Sequence, residues 1–174
     1  MVGSGFIARP GTAFGRSTVV FKGCNKISLD VKGRLTLPTR CRDGLVEADG
    51  NTVVVTIDLR EVCLLMYPAT AWAAVEAMLT ALPNLDEHYR RMQRLVLGHA
   101  TEVEVDSAGR LVLPPDLREY AGLDRRLALV GQANKLEVWS EESWDARRAD
   151  WRRVAGEDLR ALPENERQMF LDRL

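Results

Sequence analysis

Two stretches of the chain show the same alternation of polar and apolar positions. Residues 29–43 read LDVKGRLTLPTRCRD, and residues 105–119 read VDSAGRLVLPPDLRE. In each stretch an Arg-Leu-x-Leu segment brings a leucine to every second position, which is typical of a short strand with one face turned to a core. The leucines predicted to face the core are Leu35, Leu37, Leu111 and Leu113.

An Asp-x-x-Gly sequence precedes each of these segments, at residues 30–33 and 106–109. An aspartate at the first position of a type I turn accepts hydrogen bonds from the backbone of the turn, and a glycine at the fourth position adopts positive φ. The residues before each turn, 25–29 and 101–105, alternate as strands do. One hairpin is therefore predicted in each stretch.

The segments that follow the two hairpins also correspond. A proline ends each strand and suits the first turn of a helix, and CLLMYPATAW at 63–72 aligns with KLEVWSEESW at 135–144. The chain is thus predicted to contain two copies of one unit of about 75 residues. Predicted helices cover 38–46, 69–81, 85–98, 115–121, 140–155 and 163–173, and further strand pairs cover 53–57 with 63–67 and 127–130 with 135–139.

This doubled pattern resembles a known family. The sequence D-x-x-G-R-[LV]-x-[LI]-P, followed by a short helix that carries an arginine, resembles the signature of the AbrB/SpoVT-like swapped-hairpin β-barrel proteins. Two tandem copies that include RRMQRLVLGHATEVEVDSAGRLVLP, with LVGQANKLEVWSEESW further on, resemble the MraZ family over about residues 20–151. The resemblance implies an α+β fold, in which two tandem AbrB-like repeats form one pseudo-twofold swapped-hairpin β-barrel with flanking α-helices.

The resemblance also implies a division of the chain. Members of the family usually open at a segment like VFKG, which is residues 20–23 here. Residues 1–19, rich in Gly, Ser, Thr and Ala, are therefore predicted to be a flexible N-terminal extension. The other predicted parts are a first repeat with a helical extension at 20–98, a second repeat with its helix at 99–155, and a C-terminal helical tail at 156–174.

Transcriptional regulation is the function that the resemblance implies. Such a regulator binds double-stranded DNA at short direct repeats in the promoter of its own operon, the division and cell wall gene cluster. It assembles as a homo-oligomeric ring of several subunits and is cytoplasmic and nucleoid-associated. The family's Asp-x-x-x-Arg element is intact in both copies, at Asp30 and Arg34 and at Asp106 and Arg110.

The net charge limits how DNA binding would work. The 24 Lys and Arg residues face 25 Asp and Glu residues, for a formal net charge of −1. This balance excludes a protein that coats nucleic acid by bulk positive charge, so binding needs arginines at particular places. Because salt-dependent affinity grows with the number of phosphates contacted, one subunit is expected to bind weakly, and a ring on tandem sites gains avidity.

Arginines beside the hairpin tips are the main candidates for DNA contact. A guanidinium is a planar fork suited to a phosphate or a guanine edge, and an aspartate four residues earlier can aim it. Alternatively, each Asp–Arg pair only stabilises its turn, where an exposed pair contributes about 0–1 kcal/mol. The candidate DNA-binding residues are Asp30, Arg34, Asp106 and Arg110, with Lys26, Lys32 and Arg40 adding positive charge to the first copy.

Other arginines have more than one interpretation. Arg42 and Arg118 correspond in the two copies, and each either contacts DNA, lies on a solvated helix face, or pairs with acids in the barrel. Arg90, Arg91 and Arg94 are interleaved with acids, which favours an interface or structural helix over a DNA surface. The aromatic residues predicted to lie in the core or in interfaces are Tyr67, Trp72, Trp139 and Trp144.

Other chemistry finds little support in the sequence. The three cysteines lie far apart without a CxxC, and His88 and His99 are too far apart to share a helix face as metal ligands. No metal, cofactor, small-molecule substrate, catalytic constellation or membrane span is predicted. One further functional class stays open, an antitoxin-like or adaptor module that binds a protein partner through the C-terminal helix at 163–173.

Overall fold

The structure, a computed structural model, describes residues 20–83 and 85–173. Within these residues the chain forms eight strands and six helices, so the predicted α+β class is confirmed. The predicted N-terminal extension at 1–19 lies outside the described residues. The strands are β1 (Cys24–Ser28), β2 (Arg34–Thr36), β3 (Thr52–Ile57), β4 (Leu64–Pro68), β5 (Thr101–Glu104), β6 (Arg110–Val112), β7 (Arg126–Gln132) and β8 (Lys135–Ser140).

Helices follow each strand pair, as the sequence predicts. Those of the first repeat are α1 (Thr39–Asp49), α2 (Ala69–Thr80) and α3 (Glu87–His99), and those that follow are α4 (Pro115–Tyr120), α5 (Glu141–Ala161) and α6 (Glu164–Leu171). Among the described residues, no helix is long and apolar enough to span a membrane.

The largest sheet of the described residues has the strand order β1-β7-β8-β4-β3-β5, with every pair antiparallel. In the two repeats β1 corresponds to β5, β3 to β7, and β4 to β8. Exchanging the corresponding strands gives the same strand order, read from the opposite edge of the sheet. The residue pairing between β4 and β8 has the same symmetry. Leu64 lies opposite Val138, and in the equivalent pairing Leu136 lies opposite Met66. The two repeats are therefore related by a pseudo-twofold axis between β4 and β8.

The strands β2 and β6 form a separate two-stranded ribbon that also joins the two repeats. Each hairpin is swapped, because β2 pairs with β6 of the other repeat while β1 pairs with β7 of the other repeat. The contact inside a hairpin is limited to its tip, where Asp30 N–H donates to the Arg34 carbonyl at 2.9 Å. Closure of the ribbon and the sheet into a barrel stays a prediction from the resemblance.

One face of the sheet packs against the ribbon to form the main core. The inward leucines of the ribbon, Leu35 and Leu111, are buried together with the sheet residues Val55, Met66 and Leu129. The helices α1 and α4 seal this core with Cys41, Leu45, Leu117 and Ala121. The predicted core leucines Leu35, Leu37, Leu111 and Leu113 are all buried, which confirms the alternation from which they were predicted.

The other face of the sheet is covered differently in the two repeats. In the first repeat, α2 and α3 pack on β3 and β4, and buried Thr56 donates from Oγ1 to the Val96 carbonyl of α3 at 2.6 Å. In the second repeat, α5 alone covers β7 and β8 with Trp144 and Trp151, which pack on buried Trp139. Their ring centroids lie 5.7–5.9 Å apart, so the second repeat combines one helix with a cluster of three aromatic side chains, whereas the first repeat has two helices and the pair Tyr67 and Trp72.

The helix α5 is longer than the sequence predicts, so the predicted end at residue 155 is wrong. Gly156 lies inside the helix, where a glycine costs only about 1 kcal/mol relative to alanine. The helix ends instead at Ala161, and its C-cap Leu162 adopts extended φ and ψ of −66° and 147° because the next residue is Pro163. The predicted boundary between the second repeat and the tail, at 155/156, therefore falls within a continuous helix.

Candidate nucleic-acid interface

The hairpin tip of the first repeat is organised by one carboxylate. Asp30 Oδ1 accepts the backbone N–H groups of Lys32 and Arg34, each at 2.9 Å. Asp30 Oδ2 accepts the Nε–H of Arg34 at 2.7 Å. Gly33 completes the turn with φ of 77° and donates its N–H to the Asp30 carbonyl at 2.9 Å. The carboxylate therefore both shapes the turn and orients the guanidinium, and DNA contact by Arg34 stays a prediction.

The second repeat reproduces this geometry. Asp106 Oδ1 accepts the N–H groups of Ala108 and Arg110 at 2.9 Å, and Oδ2 accepts Arg110 Nε–H at 2.8 Å. Gly109 has φ of 77°, as its counterpart does. Both guanidinium groups are about half exposed, and among the described residues neither makes a hydrogen bond through its terminal Nη1 or Nη2. Each arginine thus keeps the outer edge of its fork available.

Hydrogen bonds hold both carboxylates in the charged form. The backbone N–H of Arg34, followed by its side chain, lowers the pKa of Asp30 below its ordinary value of 3.8. The pKa of Asp106 is lowered mainly by the backbone N–H of Arg110. Both tips therefore keep an ionised aspartate beside a charged arginine at neutral pH.

The ribbon brings the two arginines onto one exposed face. In its register Arg34 lies opposite Val112, and Arg110 lies opposite Thr36. These four residues are exposed, whereas the leucines between them are buried. Arg34 and Arg110 are thus diagonal neighbours on adjacent antiparallel strands, a separation of about 7–8 Å in an ordinary sheet. The repeat separated them by 76 positions in sequence, and only the swapped pairing places them side by side.

Two shallow grooves flank the ribbon, and both are lined by Arg34 and Arg110. The β5 groove is bordered by strand β5, which adds the acidic residues Glu102 and Glu104. The β1 groove is bordered by β1, the start of β7 and the first turn of α5. Besides Arg34 and Arg110, its charged residues are Asp30, Asp124, Arg125, Arg126, Glu141 and Glu142. The two grooves are equivalent by the pseudo-twofold axis, but only the β1 groove adds further arginines.

Arg125 and Arg126 are not among the site residues predicted from the sequence. Both are exposed, and Arg126 lies opposite Ser28, two residues from the hairpin tip of the first repeat. A pair of adjacent arginines at the start of a predicted strand is a weak signal by itself. The pairing of β1 with β7 places these arginines near the hairpin tip, and the local sequence pattern does not predict that pairing.

The other predicted site residues lie in three different places. Lys32 is exposed in the first hairpin tip, where the second repeat has Ala108. Lys26 lies on β1, and its Nζ contacts Asp145 at 3.1 Å and Glu141 at 3.6 Å. Arg40 is exposed in the first turn of α1, beside the Val20–Lys22 segment and outside both grooves. Of these three, the structure brings only Lys32 to a hairpin tip.

Arg42 and Arg118 each lie against the hairpin tip of the other repeat. A Cβ placed on Gly33 would be 2.7 Å from Arg118 Cζ, and one placed on Gly109 would be 3.0 Å from Arg42 Cδ. Arg42 also donates to Asp43, at 3.3 and 3.4 Å, whereas the buried Nε of Arg118 has no hydrogen-bond partner in the described part of the chain. Each repeat thus supports the tip of its counterpart.

Metal-ligating side chains do not gather in this region. Within residues 20–83 and 85–173, no group of three or more His, Cys, Asp or Glu side chains is arranged to hold a metal ion. The geometry of the ribbon offers two oriented guanidinium groups, which can bind an anion or the edge of a base.

Comparisons with known proteins point to one family. A family model described as "MraZ protein, putative antitoxin-like" matches residues 20–95 and again 96–161. The chain is similar to the transcriptional regulator MraZ of Halorhodospira halophila, with 48% identity over 83% of this chain and 95% of that protein. It is also similar to the proteins of the same name from Thioalkalivibrio sulfidiphilus, at 50% identity over 76% of this chain and 87% of that one, and Pseudomonas fluorescens strain SBW25, at 46% over 83% and 91%.

Proposed function

The chain belongs to the MraZ family, and from that premise we propose that it is a DNA-binding transcriptional regulator that contacts DNA through the β2–β6 ribbon. The observation that supports this site is the pair formed by Arg34 and Arg110. They share one exposed face, and each is oriented by its own aspartate.

The geometry of the ribbon suits the chemistry of DNA. The major groove of B-DNA admits a two-stranded ribbon, and a guanidinium fork binds either a phosphate or the O6 and N7 atoms of guanine. Because Asp30 and Asp106 take the Nε–H groups, the Nη groups of each arginine are left to face the nucleic acid. The turn that carries each guanidinium is rigid, so little conformational freedom is lost when DNA binds.

Assembly then supplies the affinity that one subunit lacks. A chain of net charge −1 with two oriented arginines contacts few phosphates. A homo-oligomeric ring presents the same ribbon several times, and direct repeats in the promoter of the chain's own division and cell wall operon engage several subunits at once. The same proposal makes the protein cytoplasmic and nucleoid-associated, since its target is chromosomal DNA.

A gel shift on the region upstream of the chain's own gene tests this proposal. Arg34→Ala and Arg110→Ala are each expected to weaken binding by about 5- to 150-fold, which corresponds to about 1–3 kcal/mol, and the double variant is expected to weaken it further. Arg153→Ala is the matched control, since Arg153 is an exposed arginine that also pairs with an aspartate, Asp150 at 3.5 Å. A folded double variant of unchanged oligomer size that binds normally would contradict the site.

The number of DNA repeats tests the role of assembly separately. Binding is expected to collapse when three direct repeats are reduced to one at moderate salt, because avidity is then lost. Equal affinity for one repeat and for three would contradict the ring mechanism while leaving the ribbon as the contact surface.

A further inference from the structure

The outer surface of α2 is unusually poor in charge for an exposed helix. Its 12 residues, ATAWAAVEAMLT, include one charged side chain, Glu76. Ala74, Ala77 and Met78 follow helical spacing on one exposed face, and Met78 is 59% exposed. A helix that is apolar on all sides is normally buried, whereas α2 is covered only toward the sheet, α1 and α3 within the described residues.

The equivalent helix of the second repeat, α5, has the composition of a helix that is exposed to solvent. The 21 residues of α5, EESWDARRADWRRVAGEDLRA, include 11 charged side chains. The two helices follow equivalent strands, β4 and β8, and cover equivalent parts of the sheet. This contrast in charge singles out the outer face of α2 as a candidate docking surface.

The neighbouring helix α3, which packs on α2, also exposes apolar side chains and arginines. Tyr89 and Met92 are 36% and 39% exposed and lie one helical turn apart. Arg90 and Arg94, also one turn apart, are exposed and have no ion-pair partner among the described residues. We define the α2–α3 face as Ala74, Ala77, Met78, Tyr89, Arg90, Met92 and Arg94.

The helix α6 has the complementary composition and is itself uncovered. Met169, Phe170 and Leu171 are 47%, 47% and 54% exposed, and no residue of α6 is buried. Glu166 lies one turn before Phe170, and among the described residues it forms no ion pair. A helix of 8 residues is too short to be stable in water by itself, so α6 needs a surface to pack on.

We propose that α6 of one subunit docks on the α2–α3 face of a second copy of this chain, an inference that rests on the ring assembly in the proposed function. The apolar side chains of α6 then cover Met78 and Tyr89, and Glu166 lies toward Arg90 and Arg94. Pairing of two α2–α3 faces with each other is disfavoured, because it would bring the arginines of both copies together.

Two features of this contact suit a closed ring, namely the length of α5 and the head-to-tail pairing of two unlike surfaces. The helix α5 continues for ten residues beyond Trp151, the last of its residues in the aromatic cluster, which is about 15 Å of helix. Within the described residues, α6 contributes no side chain to the apolar clusters of its own subunit. Because the two docking surfaces differ, the contact is head-to-tail, and head-to-tail contacts related by a closing rotation generate rings.

Single substitutions in the full chain test the two surfaces. Met78→Glu and Phe170→Glu are each expected to reduce the mass measured by light scattering from that of the ring to that of one 19.5 kDa subunit. Val62→Glu is the matched control, since Val62 is 56% exposed and lies outside both surfaces. Rings that persist in folded Met78→Glu and Phe170→Glu chains would overturn the proposal, as would a wild-type chain that is a monomer.

Mixing the two variants tests the direction of the contact. The Phe170→Glu chain keeps an intact α2–α3 face, and the Met78→Glu chain keeps an intact α6. An equimolar mixture is therefore expected to form a 1:1 complex of twice the subunit mass. A mixture that stays monomeric overturns the head-to-tail contact, including the case in which α6 binds a different protein or its own chain.

Binding to a short duplex at low salt separates this inference from the proposed function. Dissociated Phe170→Glu subunits are expected to retain weak binding that Arg34→Ala abolishes. Loss of rings with retained weak binding supports both proposals. Loss of rings without any DNA binding by the wild-type chain supports the docking and contradicts the DNA-binding function.

Discussion

The two repeats are nearly identical at their hairpin tips and different in the helical layers that cover the outer face of the sheet. Asp30 and Asp106 make the same three hydrogen bonds at 2.7–2.9 Å, and the glycines that follow share φ of 77°. In contrast, one repeat covers its sheet with two helices and the other with a single helix, α5, whose tryptophans pack on Trp139. The common part is the part that carries the arginines.

The two repeats also differ in the charge of their edge strands, β1 and β5. The edge strand of the first repeat has Lys26 and Ser28 where that of the second has Glu102 and Glu104. The ribbon between them carries equivalent arginines. A surface that reads DNA from both repeats benefits from symmetry, whereas a head-to-tail assembly requires two unlike surfaces. The asymmetry of the outer layers therefore fits assembly, and the symmetry of the tips fits recognition.

The largest expected difference between the repeats concerns the aromatic layers. Trp139 is 1% exposed and packs on Trp144 and Trp151, whereas its counterpart Tyr67 is 6% exposed and packs on Trp72. Trp139→Ala is expected to lower the free energy of unfolding by about 3–5 kcal/mol. Tyr67→Ala is expected to lower it by less, because loss of the larger Trp139 side chain leaves the larger cavity. Urea denaturation at one fixed protein concentration measures both. Equal losses would show that α5 and the α2–α3 pair stabilise the sheet alike.

The next largest expected effect concerns the contacts that Arg118 and Arg42 make with the two hairpin tips. Gly33→Ala and Gly109→Ala each place a side chain at positive φ, at a cost of about 1–3 kcal/mol. Gly33→Ala is expected to cost slightly more, since the new Cβ would lie 2.7 Å from Arg118 Cζ and this flexible side chain has to move aside. Thermal unfolding measures this difference. In an Arg118→Ala background, the excess cost of Gly33→Ala is expected to disappear, and an additive double variant would exclude the contact as its cause.

A smaller effect distinguishes the two grooves in DNA binding. Arg125→Ala and Arg126→Ala, in the β1 groove, are each expected to reduce the slope of log K against log salt by about 1. Glu102→Ala and Glu104→Ala, in the β5 groove, are expected to strengthen binding slightly, since they remove negative charge near the ribbon. A salt titration of binding to the three-repeat DNA measures all four. Unchanged slopes for the arginine variants would leave the ribbon as the contact surface without the β1 groove.

The smallest expected effect is the response of the tips to pH. Because the pKa values of Asp30 and Asp106 are lowered, the stabilisation by each carboxylate is present above its unfolded pKa, near 3.8, and is lost only as the pH falls through the lower folded value. Between pH 8 and 5 both carboxylates are expected to stay charged. Titration of the carboxyl carbons by NMR, assigned with Asp30→Asn and Asp106→Asn, measures this. A midpoint above 3.8 at either site would mean that its tip is not held as described.

Much of the fold follows from short patterns in the sequence. The alternating leucines, the Asp-x-x-Gly turns and the helix after each proline are local features, and the structure confirms each of them. The end of α5 was predicted wrongly, because Gly156 is tolerated inside a helix while Pro163 ends it. The part of the site made by Asp30 with Arg34, and by Asp106 with Arg110, was also predictable, because each pair lies within one turn of chain.

What the sequence by itself determined is therefore the two hairpin units, their tips and the family to which they are similar. Only the tertiary structure decided that β2 pairs with β6, so that Arg34 and Arg110 share a face, and that β1 pairs with β7, so that Arg125 and Arg126 border one groove. The physical reason is that turn chemistry acts between neighbours in the chain. Strand pairing between the repeats is instead set by the burial of both leucine faces in one common core.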